Sequence, residues 1–406
     1  MALLKGIQMK LILVSLLLLG PSINFYLNDI IQYMFGMGSV SAIVYILLAL
    51  IGISAYPCLF KKGCKNKYVG LTIVFMTVVM ILSYFVHPSI GSLIIDPDYN
   101  PLHSVGLFLF FYGFPLTIFF SLQLEWERFL SYLFYFSVPL IVLAALDYYF
   151  VMLRIGGDLV NYMSFSYNQL LAASICAVYG FKNRNVLAFI LSFISLLLIF
   201  LGGARGSLLC LLLLYFALML YNINAKKAIL SVVILAFVLV SWKSIFNSFL
   251  SLSSGIVDDI GGFSRTLYKI TEGEMFQSGS RDNISRILCN AISENPLGYG
   301  LLGDRYILSQ HNLTGYAHSI YLEFLCDFGW IIGGFLLVLL FGRILLLFLK
   351  WKQNPVYFVF LSLLPAGIVM LFMSGSFLDE AFAFWALLGI IYNKSCGIKR
   401  NMNSNK

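Results

Sequence analysis

Long apolar runs recur along this chain, and they constrain its fold more than any other feature. A hydrocarbon layer is crossed by about 17 to 25 apolar residues in a helix. Twelve stretches meet that length, approximately 9–27, 39–60, 68–86, 104–122, 129–150, 165–181, 185–202, 205–222, 228–246, 324–348, 355–374 and 379–394. Of the 406 residues, 60% are hydrophobic and 11% are charged, where a soluble domain carries about 25% charged residues. The expected fold class is therefore all-α, a polytopic membrane protein of about twelve transmembrane helices. The intervals between the runs leave no room for a second core, so 1–406 is expected to be a single membrane domain. The opening MALLKGIQMK followed by LILVSLLLLG has the charged and apolar parts of a signal peptide but no A-x-A-like cleavage site. It is read as a retained first helix.

The net charge of +8 is distributed by topology. With the N-terminus inside, the outer side holds Arg154, Arg205, Lys243, Arg265, Lys269, Arg281, Arg286 and Arg305, which leaves 18 of the 26 basic residues on the inner side. Most of the outer ones lie in or beside one long connection, roughly 246 to 317, too long for its charge to govern orientation. The basic excess is thus the positive-inside signal, and no nucleic-acid partner is expected. Seven cysteines without a C-x-x-C pair, and with no histidine at zinc spacing, indicate neither a disulfide framework nor a metal site. No internal repeat of fixed period is apparent.

The long connection contains one clear amphipathic helix, about 281–293. In SRDNISRILCNAIS, Ile284, Ile287, Leu288, Ala291 and Ile292 recur at helical spacing on one face. Ser280 is placed to cap its start and NPLGYG to end it. Arg281 sits in the first turn, where a cation opposes the helix dipole unless an anion is held there as well. Arg286 follows five residues on and also suits a plain solvated surface. In GGARGS, residues 202 to 207, small residues let two helices approach and present Arg205 either to an anionic ligand or, by snorkelling, to lipid headgroups.

The run starting GYAHSIYLEFLCDFGWIIGG carries His318, Glu323 and Asp327 at the border of hydrocarbon. Such groups cost roughly 2.5 to 3.5 kcal/mol there and mark a working site by default. Tyr321 and Leu322 share the helical face of His318, whereas Glu323 stacks with Asp327 at i+4 and points away. Glu323 either binds sugar hydroxyls or orients a neighbouring loop. A histidine with an ordinary pKa near 6.5, lowered further by nearby arginines, is neutral and available as a base. Gly298, Gly300 and Gly303 spell G-x-G-x-x-G, but no strand precedes them and a turn is the better reading. Asp96-Pro97-Asp98 is likewise read as a turn. His311 has no third ligand at metal spacing, so neither metal nor cofactor is expected.

Together these pieces resemble the bacterial O-antigen ligases and O-antigen polymerases. The resemblance rests on ARG at 204–206, on SGSRDNISRILCNAISENPLGYGLLGD at 278–304 and on AHSIYLEFLCDFGWIIGG at 317–334, with Ser319 where that family usually has asparagine. It implies a GT-C-like membrane glycosyltransferase of the bacterial inner membrane. Both termini would be cytoplasmic, and the segment 246–317 would be one large periplasmic loop. His318 would correspond to the general base, and Arg205 and Arg281 to cations that hold a lipid diphosphate. Arg286, Arg305, Tyr321 and Glu323 are the expected substrate-binding residues. The implied partners are an undecaprenyl-diphosphate-linked oligosaccharide donor and acceptor, the lipid bilayer and a chain-length regulator protein. The favoured activity is polymerisation of repeat units. Ligation to lipid A core and flipping of the lipid-linked sugar are the alternatives.

Overall fold

The computed structural model describes residues 2–36, 41–60, 66–87, 104–122, 124–152, 162–202, 204–221, 281–313, 315–349, 356–379 and 381–393. Among them 86% are helical and no strand occurs, which establishes the all-α class. In chain order the main helices are α1 (Ala2–Phe35), α2 (Ser41–Ile53), α3 (Lys67–Val86), α4 (Val105–Ser121), α5 (Trp126–Asp147), α6 (Tyr162–Asn183), α7 (Val186–Gly202) and α8 (Arg205–Leu220). They continue with α9 (Arg281–Glu294), α10 (Gly303–Gln310), α11 (Ile320–Phe328), α12 (Gly334–Leu349), α13 (Val356–Met373) and α14 (Phe382–Tyr392).

Six helices among the described residues are long and apolar enough to cross a membrane: Gln8–Phe35, Ala42–Phe60, Lys67–Val86, Trp126–Val151, Ile320–Leu349 and Val356–Met373. Helices α4, α7, α8 and α14 are apolar but shorter. Helix α6 occupies the sixth apolar run, yet Ser164, Asn168, Gln169 and Ser174 make it more polar than the six. The ninth run, 228–246, lies outside the described residues, as do 246–280 with Ser280, Asp96-Pro97-Asp98 and Arg154. Large apolar side chains face outward on several helices, including Leu71 on α3, Val186 on α7 and Val338 on α12. Contiguous apolar surface of this kind suits lipid rather than water, as expected of an integral membrane protein.

The chain forms two compact units, one of residues 1–18, 46–129 and 278–406, the other of 19–45 and 130–277. In the second unit α6 packs along α7, and Gln169 Nε2 donates to Ser195 Oγ at 2.8 Å. Tyr26 donates to the Phe165 carbonyl at 2.6 Å. Each of these bonds satisfies a polar group that hydrocarbon would leave unpaired. In the first unit α14 packs against α4, where Gly113 receives the Trp385 ring and Gly389 approaches the Thr117 backbone. Thr117 Oγ1 donates to the Trp385 carbonyl at 3.0 Å, and Trp385 Nε1 donates to the Phe377 carbonyl at 2.9 Å. These bonds tether the segment after α13, which carries residues of the site.

The tenth apolar run is a broken helix. Helix α11 ends at Gly329, whose φ of 74° and ψ of 176° no ordinary residue adopts without strain. The break leaves orphan carbonyls, and the NPLGYG turn supplies their donors. Tyr299 N donates to Cys326 O at 2.8 Å and Gly300 N to Asp327 O at 2.9 Å, while Pro296 O accepts from Trp330 N at 2.8 Å. Gly298, with φ +83°, lies so close to Gly329 that a Cβ would overlap its backbone nitrogen. Gly298→Ala should therefore destabilise the protein by on the order of 2 kcal/mol or more. Gly342→Ala, in open space on α12, should change stability by about 1 kcal/mol at most. Thermal unfolding in detergent checks both, and equal melting temperatures for the two variants would contradict the docking described.

Candidate functional site

Within the first unit, α9, α10, the start of α11 and the segment after α13 converge on a group of ionisable side chains. Helix α9 buries Ile284, Leu288, Ala291 and Ile292, and these pack with Ile307 and Leu308 of α10 and with Leu322 and Cys326 of α11. The apolar faces therefore set the positions of the charged residues at the helix ends. Helix α10 follows Leu302, which has φ +67°, and its first turn carries Asp304 and Arg305.

Arg305 is the hub. Its Nη1 lies 3.2 Å from Asp304 Oδ1 and 3.3 Å from Glu323 Oε1, and its Nη2 donates to Ser376 Oγ at 2.9 Å. The guanidinium carbon sits 5.7 Å from the centre of the Tyr316 ring, a cation–π contact. Burial opposes the charge on Arg305, but Asp304, Glu323, Asp379 and Asp327 outweigh it and hold the proton more tightly than usual. Asp304 and Glu323 are themselves fully buried. Glu323 accepts from Ser376 Oγ and, at 3.1 Å, from Phe377 N. Asp304 Oδ2 accepts from Ala317 N at 2.8 Å, and Asp327 Oδ1 accepts from Gly303 N at 2.9 Å. Each carboxylate thus pins a piece of backbone, and the arginine joins the pieces.

Asp304 fixes the residue that precedes His318. The histidine has φ +54°, an uncommon backbone state for a residue with a Cβ. Strain of this kind persists only where surrounding contacts over-determine it, and functional sites collect it. The imidazole lies against the Tyr316 ring, 4.3 Å between centres. Its Nδ1 is buried without a hydrogen-bond partner among the described residues, and so is Ser319 Oγ. Burial chiefly, and then the charge of Arg281, lower the His318 pKa to about 4, with Arg305 adding to the effect and Asp304 opposing it. The ring is neutral at physiological pH.

Arg281 reaches the end of α13, where Nη1 donates to the Met373 carbonyl at 3.1 Å and Nη2 to Ser374 Oγ at 3.3 Å. A cation at a helix C-terminus complements the dipole, and the bonds aim the guanidinium while leaving other N–H groups for a ligand. His318, Arg281, Arg305 and Glu323 are therefore brought together. Arg286 and Tyr321 are exposed, and Arg286 Nη2 donates to Asn283 Oδ1 at 2.9 Å. Arg205 belongs to the second unit, exposed at the first residue of α8. The sequence reading missed Asp304, Tyr316 and Ser374–Phe377. An acid in a chain with so few charges was a signal for Asp304; nothing local marks Ser376.

Residues 190–338 match the O-antigen ligase family model. The match supports the O-antigen ligase and polymerase family for this chain. It spans Arg205, Arg281, Arg305, His318 and Glu323, and it stops before the segment carrying Ser374 and Ser376. No match is found among curated proteins or solved structures. The match supports a polymerase- or ligase-type function.

Glu323 is the acceptor for Ser376 Oγ and Phe377 N, and each buried donor left without its acceptor costs about 1 to 3 kcal/mol. Glu323→Ala should therefore destabilise the protein strongly, and Glu323→Gln, which keeps an acceptor for Phe377 N and Ser376, should do so less. Melting temperatures in detergent test the order. An unchanged melting temperature for Glu323→Ala would show that Glu323 does not hold the site.

Proposed function

We propose that this chain is an O-antigen polymerase. It joins undecaprenyl-diphosphate-linked repeat units at the periplasmic face of the inner membrane. The supporting observation is the pairing of a neutral, strained His318 with the aimed guanidinium of Arg281. In the proposed step the acceptor hydroxyl oxygen bonds to the anomeric carbon of the donor sugar, and the bond from that carbon to the diphosphate oxygen breaks. His318 takes the hydroxyl proton, a contribution of typically 10² to 10⁴ in rate. The departing undecaprenyl diphosphate gains negative charge, which Arg281 stabilises without a metal, and the family resemblance assigns the same task to Arg205. Arg305 and Glu323 act mainly by holding the residues around His318 in place. Arg286 and Tyr321, both exposed on the same unit, are available to the saccharide.

The field of Arg281 also gives the base a substrate-dependent strength. In the free protein that cation helps keep the His318 pKa at about 4. A diphosphate held at Arg281 offsets the positive charge, so the pKa rises when substrate is bound and the imidazole becomes a better proton acceptor. The neutral base is present above its pKa and lost below it. The acid limb of kcat/KM should thus lie near pH 4, and that of kcat, which reports the bound state, at higher pH. Coincident limbs near pH 6.5 would contradict this account.

His318→Ala, Arg281→Ala and Arg205→Ala should each abolish long-chain polysaccharide at normal membrane abundance. Undiminished polymer from any of them would remove that residue from the proposed machinery. Ligation to lipid A core is the second reading, favoured by the description of the matched family. Purified lipid-linked repeat units alone distinguish the two, because only a polymerase lengthens chains without the core acceptor.

A further inference from the structure

The NPLGYG turn sits lower against its neighbouring helices than a surface loop would. Helix α3 has 20 residues, which at about 1.5 Å each span about 30 Å, the thickness of the hydrocarbon layer. Leu301 N donates to Ser83 Oγ at 2.7 Å, and Ser83 lies about 5 Å along α3 from its end at Val86. The rest of the turn grips α11 on both sides of Phe328, through Cys326 O, Asp327 O and Trp330 N. The Phe328 ring is 5.9 Å from that of Phe75. Phe75 lies about 16 Å along α3 from Val86, near the middle of the span. Further on, Tyr306 meets His87, the residue that caps the end of α3, with 4.1 Å between ring centres. The chain thus rises along α3 from the turn to Tyr306.

The turn is also built for hydrocarbon. No charged residue occurs between Glu294 and Asp304, and Leu297 is 77% exposed. Leu82 and Ile332, which line a largely apolar cavity of about 480 Å³ together with Leu297, are more than half exposed as well. The backbone leaves few polar groups open. Pro296 has no N–H, Leu297 N donates to Asn295 Oδ1 at 3.3 Å and Gly298 N to Asn295 O at 3.1 Å. Tyr299, Gly300 and Leu301 donate to Cys326 O, Asp327 O and Ser83 Oγ. Asn295 Nδ2 in turn donates to the Gly298 carbonyl at 2.9 Å. Water would serve these groups in an aqueous loop, whereas irregular backbone at membrane depth is tolerated only where the protein satisfies it.

We propose that the NPLGYG turn re-enters the bilayer, with Leu297 among the acyl chains of the lipids and the apolar cavity beside it open to them. The partner is the hydrocarbon itself, so no headgroup is selected. This takes residues 296–301 out of the aqueous loop in which the sequence reading placed them. It rests on α3 crossing the membrane and is independent of the glycosyl transfer. Anchored in this way, the start of α10, which carries Asp304 and Arg305, is held at a fixed depth.

Photocrosslinking of the full chain in phosphatidylcholine nanodiscs tests the proposal. Leu297→p-benzoylphenylalanine should gain, on illumination, the mass of one lipid at that residue, as should the same replacement at Val338 on the outer face of α12. The same replacement at Asn290, exposed on the polar face of α9, should gain none. A hydroxyl-radical footprint of the unaltered protein in the same nanodiscs needs no substitution. Leu297 should be protected several-fold relative to a free peptide of the same sequence, while the exposed Cys289 on α9 should not be. The proposal would be overturned by a lipid adduct at Val338 without one at Leu297, by equal adducts at Asn290 and Leu297, by crosslinking of Leu297 to a second copy of the chain, or by oxidation of Leu297 as fast as in the free peptide.

Discussion

The arrangement around His318 depends on one guanidinium in a place where charge is expensive. Arg305 binds Asp304 and Glu323 directly and reaches Ser376, and these groups hold backbone from two different parts of the chain. Asp304 fixes Ala317, and so the residue before His318. Glu323 and Ser376 fix Phe377 and Leu378, just beyond the end of α13 where Arg281 is anchored. A buried ion network adds little net stability when compared with packed apolar groups. Its value is geometric, since its members are satisfied only in one arrangement.

The site sits at helix ends for a related reason. Ionisable side chains are least costly where hydrocarbon gives way to polar surroundings, and helix termini offer unsatisfied backbone groups at that level. Here Arg281 opens one helix and stabilises the end of another, while the broken helix at Gly329 brings the NPLGYG turn against α11. The glycines of that turn and of the break are required by close backbone approach and by left-handed φ. The resemblance to a nucleotide-binding glycine pattern arises from turn geometry.

Much of this was readable in the residues. Apolar length set the all-helical class. The spacing of Ile284, Leu288, Ala291 and Ile292 is that of one helical face, and α9 buries all four. The cost of ionisable groups beside hydrocarbon singled out His318 and Glu323 before any fold was known. The family match over residues 190–338 takes in the same stretch. Less legible was the count of spans, because helices such as α14 are shorter than a bilayer crossing and α6 is more polar than one.

Sequence alone determined what had to be true of each segment taken singly: which stretches prefer lipid, which face of α9 is apolar, where glycine permits a tight turn. These follow from local hydropathy and backbone sterics, which act over a few residues. The tertiary structure decided that Glu323 serves Arg305 and Ser376, that Asp304 positions His318, and that burial, with Arg281 nearby, keeps that histidine neutral. Those are electrostatic and hydrogen-bonding relations between residues up to 53 positions apart, and such separations carry no periodicity that a linear reading can detect.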